Sequence, residues 1–96
     1  MSLKQAVYRP NGRVVVRTIG DDTLLVPVSG PASGGRVFPV NESALTVWSC
    51  LSEGGSFGAA VEQFVARYGL DEREAEEDVQ ACVETLLSEE LLTPAE

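Results

Sequence analysis

The hydrophobic positions of this chain change their spacing once, near residue 40. Before that point they come in short β-branched runs: Arg13 to Thr18 (Arg-Val-Val-Val-Arg-Thr), Thr23 to Val28 (Thr-Leu-Leu-Val-Pro-Val) and Arg36 to Val40. Short runs rich in Val and Thr and bounded by Gly, Pro and Asp read as strands, and Ile-Gly-Asp-Asp between the first two suits a hairpin turn. Pro27 cannot donate to a ladder, so it belongs towards an edge or strand end. Ser29 to Gly35 reads as a flexible loop, and the third run completes a small three-stranded antiparallel sheet. Met1 to Pro10 lacks periodicity and is expected to be a frayed leader with little order.

After residue 40 the apolar residues recur at helical spacing. Asn41 suits an N-cap, because its side-chain oxygen can accept a first-turn N–H, and Glu42 places a carboxylate where the helix dipole favours one. Val47, Trp48 and Leu51 then share a face that the indole anchors. A second helix is predicted from Phe57 to Tyr68, capped by Ser56 and closed by Gly69, with Phe57, Ala60, Val61, Phe64, Val65 and Tyr68 as its apolar stripe. Asp71 followed by Glu74 is close to a capping box and starts a third helix to about Glu89. Its core face carries Ala75, Val79, Cys82, Val83 and Leu86, with Glu72, Glu76, Glu77 and Glu84 on or beside the solvent side. Leu91 and Leu92 form a short apolar return. The expected fold is α+β and winged-helix-like: a single domain over 1–96, with strands at about 13–40 and helices at about 42–89.

Charge narrows the range of partners. The chain has 96 residues and a net charge of −8. Residues 1–40 hold five basic residues (Lys4, Arg9, Arg13, Arg17, Arg36) against Asp21 and Asp22, or +3. Residues 41–96 hold Arg67 and Arg73 against thirteen acidic residues, or −11. So acidic a helical half repels phosphate and argues against nucleic acid; a basic or hydrophobic peptide is the better match. The acidic run Asp71 to Asp78 reads first as a solvated helix face and second as an attractor for Lys or Arg.

Composition also removes chemistry. There is no histidine, and the only two cysteines, Cys50 and Cys82, sit inside expected helices. The usual zinc sites, a Ser-His-Asp triad and a Cys-His pair therefore cannot be assembled. Nothing in the size demands a cofactor, since a chain this long buries roughly 60 to 70% of its unfolded surface. With no signal peptide and no long apolar segment, the expectation is a reduced, cytoplasmic protein that does not enter a membrane.

Particular residues add a resemblance. Leu24-Leu25-x-Pro27, a Gly-containing loop, Val40-Asn41-x-x-Ala44-x-x-x-Trp48, Tyr68, Asp78-Val79-x-x-Cys82-Val83-x-x-Leu86 and Leu91-Leu92 together resemble the PqqD family. That family comprises the pyrroloquinoline quinone synthesis protein D and related RiPP recognition elements. The resemblance spans roughly residues 13 to 92. It implies a non-enzymatic module that binds the leader of a ribosomally made precursor peptide and presents it to a maturation enzyme, in the pyrroloquinoline quinone case a radical-SAM protein. The leader is expected to add as a strand beside the third strand and against the third helix. The resemblance places Arg36, Val37 and Phe38 on the strand edge; on the helix, the spacing i, i+4, i+7 and i+11 selects Asp78, Cys82, Thr85 and Glu89 along one flank.

The chain departs from the family pattern in three places. Val40 stands where Leu is usual before the Asn, Gly54 and Gly55 come about one residue late, and Pro39 shortens the usable edge to about Arg36 to Phe38. Two other classes compete. A winged-helix transcription regulator fits the outline, but its recognition helix needs Arg, Lys, Asn or Gln where this one offers mostly Glu. A carboxylate enzyme lacks a pair of acids set among apolar residues.

Overall fold

The computed structural model describes residues 3–95. A 3-10 turn (Leu3–Gln5) leads into β1 (Tyr8–Pro10), β2 (Val14–Ile19), β3 (Asp22–Pro27) and β4 (Phe38–Val40). Three helices follow, α1 (Glu42–Ser52), α2 (Phe57–Tyr68) and α3 (Glu72–Ser88), and then β5 (Leu92–Pro94). The strands β2, β3 and β4 form the antiparallel sheet in that order, followed by the three helices, as the hydrophobic spacing predicts.

Two prolines fix the phase of that sheet. Val14 lies opposite Pro27 and Leu24 opposite Pro39. Proline has no N–H, so both must be pairs that exchange no hydrogen bonds. The donation from Val28 N–H to Arg13 C=O, at 2.8 Å, agrees with this. Alternation then points the main-chain groups of Val15, Arg17 and Ile19 at β3 and those of Val14, Val16 and Thr18 away from it. On β4, Phe38 and Val40 bond to β3 while Pro39 faces outward. Pro27 closes the central strand at its end, where its missing donor costs nothing.

The N-terminal segment departs from expectation. Met1 and Ser2 lie outside the described residues, but Tyr8–Pro10 is ordered as β1 and pairs antiparallel with β5, Tyr8 opposite Pro94 and Pro10 opposite Leu92. Asn11 N–H donates to Leu91 C=O at 2.9 Å, Ala95 N–H to Val7 C=O at 3.0 Å, and Phe57 N–H to Ala6 C=O at 2.8 Å. A three-residue strand whose partner lies more than 80 residues away has no local periodicity to betray it. Just after β1 the chain crosses the loop that follows β3: Gly12 and Gly30 have φ of 100° and 92°, and a Cβ on Gly12 would collide with the Ser29 carbonyl and one on Gly30 with the Asn11 carbonyl.

The helices begin where the caps predict. Asn41 Oδ1 accepts from Ala44 N–H at 2.8 Å, Ser56 Oγ from Ala59 N–H at 3.1 Å, and Asp71 Oδ1 from Glu74 N–H at 2.8 Å. Gly69 ends α2 in the left-handed conformation, φ 66°. Glu89 is the C-cap of α3 rather than its last turn. One hydrophobic cluster joins the helices to the sheet: Leu25, Trp48 (3% exposed), Leu51, Phe57, Phe64 and Val79 are buried, and Leu91 and Leu92 return into it. A buried indole of this kind contributes on the order of 3 to 5 kcal/mol relative to Ala.

Candidate functional site

Among the described residues β4 pairs with β3 alone, which leaves it one free side, and α3 passes beside it. Between them lies an open groove of about 610 Å³. One wall is β4 and the start of α1, with Pro39, Val40, Asn41 and Ala44; the other is α3, with Asp78, Ala81, Cys82 and Thr85. The floor is Phe64, Tyr68 and Leu70 from the end of α2, together with Leu86. Local sequence explains each wall. Asn41 ends β4 and caps α1, which turns the chain sharply at the groove's rim. The spacing 78, 81, 82 and 85 keeps four side chains on one flank of α3.

The floor is held firmly. The Tyr68 ring meets Phe64 edge-on with centroids 5.1 Å apart. Its hydroxyl lies 3.2 Å from Thr46 Oγ1 and 3.4 Å from Glu42 Oε1. The phenol donates to that Glu42 carboxylate, and Thr46 Oγ1 donates to the Glu42 carbonyl at 3.1 Å. Burial pushes the Cys82 thiol above its ordinary range, which keeps it neutral at pH 7: an apolar wall, poorly suited as a nucleophile. Cys50 is shifted the same way, by burial first and the nearby Glu53 second, and both cysteines are free. Among the described residues no cluster of His, Cys, Asp and Glu could hold a metal ion, and no helix is long and apolar enough to cross a membrane.

The residues expected at the site divide into two groups. Asp78, Cys82 and Thr85 do line the groove. Arg36, Val37, Phe38 and Glu89 stand beside it. The third strand starts at Phe38, not Arg36, so Arg36 and Val37 precede β4 as irregular chain. Arg36 reaches across to α3, its Nη2 3.1 Å from Glu89 Oε2, with its guanidinium carbon 4.8 Å from the centre of the Phe38 ring. Phe38 packs against the core, and its main chain is spent on β3. The usable edge is therefore not Arg36 to Phe38. It consists of Val37, which is 50% exposed, the Pro39 carbonyl and the N–H of Asn41.

Sequence reasoning missed Ala44, Leu70 and Ala81 as groove residues and assigned Tyr68 to the core alone. The available signal was a mismatch of size: Ala44 and Ala81 are small where two packed elements would want bulk, and Ala81 is exposed although it sits next to Cys82.

Comparison with known proteins bears on the family and the fold. No curated protein sequence matches the chain. Among solved structures, TbiB1 in complex with the TbiA(beta) leader peptide superposes with a TM-score of 0.72 and 26% identity, covering 88% of this chain and 93% of that one. The family model for coenzyme PQQ synthesis protein D matches residues 22–92. That span runs from the first residue of β3 to the first residue of β5 and includes both walls of the groove, so the chain belongs to the PqqD family.

Proposed function

We propose that this protein is a non-catalytic adaptor, a RiPP recognition element that binds the leader of a ribosomally made precursor peptide in the groove between β4 and α3. The observation that carries this reading is the groove itself: an apolar trough with a main-chain edge on one wall, in a fold shared with TbiB1 bound to a leader peptide. An extended peptide would donate to the Pro39 carbonyl, exchange bonds with Val37, and send alternate side chains down onto Tyr68 and Leu70. Asp78 at the rim, with the acidic face of α3 behind it, favours a leader that carries Lys or Arg. Arg36, paired with Glu89, marks the end of the trough.

The protein then acts by delivery. Holding the leader raises the local concentration of the precursor at a separate maturation enzyme, which for pyrroloquinoline quinone is a radical-SAM protein, in a cytoplasmic ternary complex. The test is calorimetric titration with the leader segment of a short open reading frame beside the gene, in parallel with an Ala81→Trp variant. Ala81 is exposed and lines the groove, so a Trp there fills the trough without entering the core. One-to-one binding that the variant loses supports the reading. Binding that survives moves the site elsewhere, and no binding to any neighbouring leader removes the adaptor role.

A further inference from the structure

The other edge of the same sheet is built to accept a strand as well. In β2 the outward N–H and C=O groups belong to Val14, Val16 and Thr18, and among the described residues β2 pairs with β3 alone. No proline interrupts this edge, so three donors and three acceptors stand in a regular row. Four of its side chains are open to solvent, two of them apolar: Val16, 41% exposed, and Ile19, 65%, with Arg17 and Thr18.

We propose that a second copy of this chain covers β2, its own β2 adding antiparallel about a two-fold axis at Val16. The edge is complementary to itself. With Val16 facing Val16, Val14 exchanges bonds with Thr18 of the second copy, and Arg17 lies opposite Val15 rather than opposite another arginine. Arg13 falls opposite Ile19, at the mouth of the Gly20-Asp21 turn, where Asp21 and Asp22 of the second copy supply the opposite charge. Charge also selects this edge over the others. Residues 13–28 hold two arginines and two aspartates and are neutral, in a molecule of net charge −8. Because β2 is the strand farthest in the sheet from the groove, this pairing keeps the two acidic helical halves at opposite ends of a six-stranded sheet. Closed two-fold pairing of this kind ends at a dimer and leaves both β4 edges free.

The test is sedimentation velocity over a concentration series, joined to amide exchange measured by NMR on the intact chain. A concentration-dependent dimer is expected. In it the Val14, Val16 and Thr18 amides exchange slowly, and on dilution they become fast, whereas Val15, Arg17 and Ile19 stay protected at both extremes. Thr18→Pro deletes an outward donor and no intrachain bond, so it weakens association by about tenfold or more. Arg13→Asp and Asp21→Arg, both at exposed positions, each weaken it, and the double variant restores it. The inference is overturned by a chain that stays monomeric throughout, by a dimer whose three outward amides remain unprotected, or by a dissociation constant that neither Thr18→Pro nor the charge pair moves.

Discussion

The two outer strands of the central sheet face the same problem, a row of main-chain groups with no strand beside them among the described residues, and they differ in how they meet it. On the β4 side the row is short and Pro39 removes a donor from its middle. On the proposed reading, that edge regains from the groove what it lacks in hydrogen bonds, because the floor and opposite wall would give alternate side chains of a peptide something to bind. On the β2 side the row is complete, but no helix stands beside it to form a groove. On these two proposals one small sheet separates two kinds of recognition: side-chain pockets suit a particular peptide, and a bare ladder suits another strand of matching register.

The sharpest way to break this comparison is to fill the groove. Ala81→Trp should weaken leader binding about a hundredfold or more in calorimetric titration, while amide exchange along β2 stays as it was. If binding survives, the β4 side has no claim to side-chain recognition. Next in size is Phe38→Asp. Because Phe38 packs on the core, a charge there should cost about 2 to 3 kcal/mol of stability in denaturant unfolding, so any loss of binding in that variant reports folding rather than contact.

A smaller change sharpens the contrast. Pro39→Ala gives β4 back its outward N–H, and leader affinity should rise about three- to tenfold if the peptide lies along that edge. Affinity that is unchanged or lower means that the peptide runs elsewhere in the groove. Smallest is Arg36→Ala. Both members of the Arg36–Glu89 pair are about half exposed, so the loss should change stability by no more than about 1 kcal/mol, with at most a severalfold change in peptide dissociation rate.

Much of the fold was legible in the sequence, for identifiable reasons. The three helices and their caps were, because Asn41, Ser56 and Asp71 each bond a main-chain N–H three residues on and nothing distant intervenes. The β2–β3 hairpin was, because its partners are adjacent and Gly20-Asp21 joins them directly. On α3, Asp78, Cys82 and Thr85 were legible as one flank, because helical spacing alone puts them there. The other wall was not. Reading Arg36 to Phe38 as the edge followed composition, whereas which carbonyls face outward depends on the register of β4 against β3.

The sequence by itself determined the order of elements, the ends of the helices, the separation of a basic, strand-forming half from an acidic, helical one, and the family. All of these rest on interactions between residues close in the chain, or on residue identity alone. Only the tertiary structure decided that Tyr8–Pro10 pairs with Leu92–Pro94, that Tyr68 and Ala44 share a groove with Cys82, and that Pro39 offers an acceptor but no donor at its rim. Those outcomes depend on contacts between segments tens of residues apart, whose register and distance are set by how the whole core packs.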